Sequence, residues 1–205
     1  HPRVRRQRQM CIRDSYMANF NLYIEQLDYS PIIDLIKKNG EQRLLKKREY
    51  FVRQHETSRY VAWVKSGVFH YTCIGDDGCE HIVGYSFENE FICDYSSLVK
   101  RGQSLVNIIA LTDCTIYVLS YKDLLEYYEN DIDTQRIGRL AAEALFEMIY
   151  KRLLDFYCDT PEQRYVKLMK RCPDLKSIVP LKNIASFLNV TPETLSHIRR
   201  KLLQK

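Results

Sequence analysis

The hydrophobic positions change their period along the chain. From Phe20 to Asn39 they recur at helical spacing, with Leu27, Ile32, Ile33, Leu35 and Ile36 apolar and Pro31 placed to open a second helix. From Leu44 the period changes. Six short segments rich in β-branched and aromatic residues follow: Tyr50–Arg53, Tyr60–Val64, Val68–Ile74, Glu80–Phe87, Val106–Ile109 and Cys114–Ser120. Turn signals separate them, at Ser66-Gly67, at Gly75-Asp76-Asp77-Gly78 and at Arg101-Gly102, and the second predicts a hairpin. Many strands in succession, with nothing helical between them, predict a β-sandwich or roll.

Helical periodicity returns in a short segment, Tyr121–Tyr128, and then in a long one from about Asp133 to Cys158. The long segment carries Ile137, Leu140, Ala141, Ala144, Leu145, Met148, Ile149, Leu153 and Phe156. That apolar set is wider than one sheet contact needs, so a second surface has to be covered. Homodimerisation through this helix, by Leu145, Met148, Ile149 and Phe156, is the expectation. Burial between two domains of one chain is the alternative. Asp159-Thr160-Pro161 ends the helix and marks a domain junction.

The last twenty-five residues read as two short helices, Leu181–Leu188 and Thr191–Leu202, joined by a three-residue turn. In the first, Ile184 and Leu188 are apolar, and small Ala185 lies where a second helix would cross closely. The second places Leu195, Ile198 and Leu202 on one face. Asn189 suits a turn position with positive φ, Thr191 is a good N-cap, and Pro192 falls at the first helical position. An ordinary antiparallel helix pair would show the same apolar spacing. The opposite face decides between the readings: it carries Glu193, Ser196, His197 and Arg200, flanked by Arg199 and Lys201. Such groups reach base edges and phosphates, as the second helix of a helix-turn-helix does in the major groove.

Charge supports this reading once the N-terminus is set aside. Arg5–Asp14 resembles the translation of a transposase adaptor used in preparing sequencing libraries, so residues 1–15 are read as a non-native tail and Met17 as the start. A basic N-terminal arm is the competing reading. Residues 1–15 hold five Arg and one Asp, net +4; residues 16–160 hold 16 Lys or Arg against 22 Asp or Glu, net −6. Residues 161–205 hold 10 Lys or Arg against 3 Asp or Glu, net +7. A small basic module is thus attached to an acidic body, which is the footprint of phosphate binding by the C-terminal end alone. No apolar run of about eighteen residues is present to span a membrane. After the tail, Cys73, Cys79, Cys93, Cys114, Cys158 and Cys172 are scattered without C-x-x-C pairs, as in a cytosolic protein with reduced thiols.

From about Tyr23 to the C-terminus, the order of elements and several motifs resemble the Crp/Fnr family of bacterial transcription regulators. The motifs are Val61-Ala62-Trp63-Val64-Lys65-Ser66-Gly67, the Gly75–Gly78 hairpin, Asn89-Glu90-Phe91-Ile92, the long helix, and the most specific string, Thr191 to Leu202. The resemblance implies an α+β chain of three parts after the tail. Residues 16–130 form a double-stranded β-helix or jelly roll of cyclic-nucleotide-binding type, a sensor domain. Residues 131–160 form a dimerisation helix, and 161–205 a winged-type helix-turn-helix. It further implies base contacts by Glu193 and His197 and a backbone contact by Arg200. Thr191, Ser196, Arg199 and Lys201 complete the expected DNA-binding set. Few residues lie between Pro173 and Pro180, so the wing is expected to be reduced.

In cyclic-nucleotide members a Gly-Glu pair and an Arg-Ser or Arg-Thr pair surround the phosphate. Here Cys93-Asp94 and Ser104-Leu105 fall at those places, with Tyr95 adjoining them, and the arginine is absent. Burying a phosphate without a cationic partner costs several kcal/mol, so cyclic AMP is not the expected effector. Lys100 or Arg101 is the possible replacement, with solvated loop charges the simpler reading. No cofactor is expected: the iron–sulphur branch needs N-terminal cysteines, and only Cys11 lies there. A haem sensor would need an exposed axial Cys or His, for which His55, His70 and His81 are candidates only in the sense that any histidine is. No H-x-H is present for a metal-dependent cupin enzyme. The expected protein is not an enzyme but a cytoplasmic, sequence-specific DNA-binding regulator, a homodimer on palindromic operators. Its partners are double-stranded DNA and a second copy, with RNA polymerase a further candidate, and not a membrane. The alternative is a sensor module that acts through a protein partner without binding DNA.

Overall fold

The computed structural model describes residues 20–21 and 28–204. The expectations about residues 1–15, Met17 and Leu27 lie outside the described residues. The chain divides into two compact units, one of residues up to Tyr150 and one of Lys151 onward together with Phe20 and Asn21. The division falls inside the long helix.

The first unit opens with α1 (Ser30–Asn39), whose first turn holds Pro31 and whose buried face is Ile32 and Ile36. Eight strands follow: β1 (Glu41–Leu45), β2 (Tyr50–Val52), β3 (Tyr60–Ser66), β4 (Phe69–Ile74), β5 (Glu80–Ser86), β6 (Phe91–Ile92), β7 (Asn107–Ala110) and β8 (Cys114–Ser120). They form two four-stranded sheets in the orders β1-β8-β3-β6 and β2-β7-β4-β5, with antiparallel pairing throughout. Three helices complete the unit: α2 (Tyr95–Lys100), α3 (Tyr121–Glu129) and the first part of α4 (Ile132–Cys158).

Strand β3 shows why the roll reads as a continuous apolar run rather than an alternating one. Ala62 and Val64 point between the sheets, where they pack with Phe69, Ile92, Ile108, Ile116 and Val118. Val61 and Trp63 point the other way, beneath Ile32 and Ile36 of α1, Leu98 of α2 and Leu124 of α3. Burial on both faces removes the period-two signal. The Ser66-Gly67 turn needs its glycine: Gly67 has φ +104°, and a Cβ there would sit 2.8 Å from the Asp113 carbonyl. The Gly75–Gly78 hairpin forms as expected, with Gly75 N–H donating to Cys79 O at 3.0 Å.

The expected all-β stretch needs one correction, because α2 lies between β6 and β7. Its six residues, Tyr-Ser-Ser-Leu-Val-Lys, span fewer than two turns, too short for helical periodicity to emerge. Strands β1 and β6 were also absent from the strand pattern: β1 is Glu-Gln-Arg-Leu-Leu with only Leu45 buried, and β6 has two residues.

The second unit holds the end of α4 and four helices: α5 (Pro161–Arg171), α6 (Leu175–Ile178), α7 (Leu181–Phe187) and α8 (Pro192–Leu203). Thr160 and Gln163 form a capping box that starts α5 directly after α4, with Pro161 at the first helical position. Between α5 and α7 lies only the single turn α6, and no strand occurs among the described residues of this unit. Phe20 is fully buried here, its ring 5.3 Å from that of Phe187 and beneath the guanidinium groups of Arg152 and Arg171.

Candidate nucleic-acid interface and effector cradle

Helix α8 is fixed from one side and open on the other. Thr191 caps it by accepting from the Thr194 N–H at 3.2 Å, and Pro192 opens it. Asn189 takes the left-handed conformation, φ +53°, so the chain reverses sharply between α7 and α8. The turn closes with Val190 N–H donating to Ala185 O at 3.0 Å. Ala185 and Ile184 of α7 are fully buried, as is Leu195 of α8, while Ile198 is nearly so. A larger side chain at Ala185 would displace the close approach.

The residues expected to meet DNA divide by exposure. Thr191, Glu193, His197, Arg200 and Lys201 are exposed, whereas Ser196 and Arg199 are half-buried. Lys201 has a partner in its own chain, since its Nζ lies 2.6 Å from Glu162 Oε2 on α5. Two further residues matter that sequence reasoning passed over. Arg164 on α5 donates to the carbonyls of Asp159 at 2.8 Å and Leu188 at 3.1 Å, and its guanidinium lies over the Phe156 ring. Lys167 bridges Asp155 at 2.8 Å and Asp159 at 2.5 Å. Both sets of contacts join α5 to other elements, so no spacing within one helix announced them.

Along α4 the exposed apolar stripe is Phe146, Ile149, Tyr150, Leu153 and Tyr157. At 100° per residue these five stay within about 60° of one line. Phe146 and Tyr150 stack with ring centroids 6.0 Å apart. Of the expected dimer residues, Ile149 lies on this stripe. Leu145 and Met148 are half-buried on other faces, and Phe156 is exposed at the stripe's edge, under Arg164.

In the roll, the five expected pocket residues do come together in part. Asp94 is the centre: its Oδ2 accepts from the Ser97 hydroxyl at 2.6 Å and the Leu105 N–H at 2.7 Å. The Ser104 hydroxyl lies 3.1 Å from the same oxygen and 2.7 Å from the Val106 carbonyl, so its one proton is divided between them. Ser97 was not anticipated; it is reachable only because α2 places it three residues after Asp94. Cys93 is turned inward, and burial, then the Asp94 charge, push its thiol pKa up to about 12. Burial also raises the Tyr95 phenol. Lys100 and Arg101 are exposed and form no ion pair among the described residues. No cluster of His, Cys, Asp and Glu suited to a metal ion occurs among the described residues, and all six described cysteines are free. No described helix is long and apolar enough to cross a membrane.

A two-sheet antiparallel roll followed by a long helix and a C-terminal helix, turn and helix defines a known class of two-part chain. Residues 42–131 match the family model of the cyclic nucleotide-binding domain. No curated protein sequence matches the chain. Among solved structures, FixK2 from Bradyrhizobium japonicum is similar at 16% identity, covering 80% of this chain and 85% of that one, with TM-score 0.68. The c-di-GMP responsive global regulator CLP of Xanthomonas campestris is similar at 18% identity, covering 86% and 92%, with TM-score 0.63. A protein from Eubacterium rectale assigned to the crp/fnr family of transcriptional regulators gives 16%, 83% and 81%, and 0.60. The chain has the fold of the Crp/Fnr regulators, with a cyclic-nucleotide-binding-type roll at its core.

Proposed function

We propose that the chain is a transcription regulator that binds double-stranded DNA as a homodimer, with α8 entering the major groove. The observation that carries this reading is the outward row Glu193, His197 and Arg200, held on a helix whose other side is pinned by Leu195 and Ile198. A side chain reads a base edge only if its helix is fixed to within a fraction of an ångström, and the turn at Asn189, closed by the Val190 N–H to Ala185 O bond, supports that rigidity. The net +7 of residues 161–205 supports phosphate contact from the same end.

The stripe from Phe146 to Tyr157 supports pairing through α4, since a monomer leaving such aromatic and aliphatic side chains in water is disfavoured. Two copies of α8 then meet successive major grooves about one helical turn apart, on a palindromic site. Regulation follows if an effector of the roll has different affinity for two orientations of the basic units. This reading does not favour cyclic AMP as that effector, because among the described residues the hydrogen-bond partners of Asp94, Ser104 and Leu105 include no cationic side chain.

The test is selection of genomic DNA fragments by protein beginning at Met17, with and without a metabolite extract. A palindrome is the expected result, and an extract-dependent one identifies a sensor. Capture that is weak, uniform and free of any motif overturns the reading in favour of a module that acts through a protein partner.

A further inference from the structure

We propose that the roll carries its own anion: the Asp94 carboxylate fills a hole built to hold a negatively charged oxygen, so this site takes no external anion. The geometry is that of a bound ligand. One carboxylate oxygen collects the Ser97 hydroxyl at 2.6 Å, the Leu105 N–H at 2.7 Å and a share of the Ser104 hydroxyl at 3.1 Å. Hydrogen bonds to an ionised acceptor are about twice as strong as neutral ones, and the short distances here fit that type. Ser97 and Ser104 are both buried, at 4% and 0% exposure, so neither hydroxyl has water as an alternative partner.

The donors come from two separate segments. Ser97 belongs to α2, while Ser104 and Leu105 belong to the loop that leads into β7. Asp94 therefore does what a bound anion would do, drawing that loop onto α2. The same loop is tied elsewhere by the Ser104 N–H to Glu56 O at 2.7 Å and the His55 N–H to Ser104 O at 2.8 Å. The hole is thus held open by the backbone and does not depend on Asp94 alone for its shape. An external carboxylate or phosphate would have to displace a covalently tethered competitor, whose effective concentration is of order millimolar or above.

Removing the tethered group turns the hole into a site for a small carboxylate. The experiment is thermal unfolding of the wild-type chain and of Asp94→Ala in sodium formate or in sodium chloride at matched ionic strength. Asp94→Ala is expected to melt lower than wild type and to recover by about 3 °C or more in formate, saturably, through linkage. Wild type is expected to respond equally to the two salts. Equal responses by the variant, or a formate-specific rise in wild type, overturn the proposal. If Asp94→Ala does not fold, Asp94→Asn carries the test, because it keeps the shape and loses the charge: a lower melting temperature is expected, and an unchanged one overturns the proposal. The inference concerns the roll alone, so its failure leaves the DNA-binding reading standing, and the reverse holds as well.

Discussion

Arg164 donates through one terminal nitrogen to the carbonyl of Leu188, 3.1 Å away, and through the other to the carbonyl of Asp159, 2.8 Å away. A single guanidinium therefore ties the last residue before the α7–α8 turn to the end of α4. Carbonyls at helix ends lack intrahelical partners, and a charged planar donor satisfies two of them at once. Arg164→Met keeps the bulk over Phe156 and deletes both bonds. It is expected to lower the stability of the C-terminal unit by about 2 kcal/mol, read from the urea midpoint. DNA affinity should fall with it, although Arg164 is not among the exposed residues of α8. An unchanged midpoint would show that water replaces these bonds without cost.

Lys167 makes stability depend on pH at both extremes. Its hydrogen bond holds the Asp159 carboxyl below the ordinary 3.8, and Asp155 and then Asp159 raise Lys167 above its ordinary 10.5. A depressed carboxyl contributes stability that is complete above 3.8 and lost as pH falls through its lower folded value. A raised lysine contributes stability that is complete below 10.5 and lost as pH climbs through its higher folded value. Lys167→Met should flatten both limbs in melting curves taken across pH while sparing the middle. Limbs that keep their steepness would assign the dependence to other groups.

Much of this architecture is legible from local chemistry. Thr191, Pro192 and Asn189 each specify a backbone state through their own side chains, and α8 begins and turns as those residues dictate. The Gly75–Gly78 turn is legible for the same reason. What stayed hidden depends on distant partners. Ser97 joins Asp94 only because a six-residue helix forms under the roll, and Lys201 meets Glu162 across 39 positions of sequence. The face of α4 that stays exposed is likewise not set by its own composition. Leu145 and Met148 are as apolar as Ile149 and Leu153, and composition alone cannot rank them.

The proposed dimerisation through α4 would place its weight on the middle of the exposed stripe. Leu153→Glu puts a charge where a partner helix would cross, and desolvating it there costs several kcal/mol. Because Leu153 is exposed in the single chain, the fold itself should tolerate the change. The variant is expected to sediment as a monomer at concentrations where wild type is a dimer, with its circular dichroism unchanged. Met148→Glu is the contrasting case. Met148 is half-buried within its own chain, so its substitution should cost stability before it costs association. If Leu153→Glu remains dimeric, the partner surface is not this stripe.

Arg200 and Lys201 are adjacent on α8 and both cationic, but they are not equivalent. Arg200 is exposed and has no counter-ion among the described residues, whereas Lys201 already faces Glu162 at 2.6 Å. A phosphate contact by Lys201 has to compete with that carboxylate, and fewer counterions are released when it forms. Arg200→Ala should therefore reduce the dependence of log K on log salt by about 0.9 per copy, and weaken binding to all sequences alike. Lys201→Ala should change the slope by much less. Glu162→Gln should then raise affinity for any DNA by freeing Lys201, an effect that Lys201→Ala in the same chain removes. Glu193→Ala belongs to a different class: it should leave the salt slope nearly unchanged and relax base preference at one position of each half-site. Equal slope changes for Arg200→Ala and Lys201→Ala would mean that the Glu162 pair opens on the operator, and an unaltered site preference in Glu193→Ala would remove that residue from base readout.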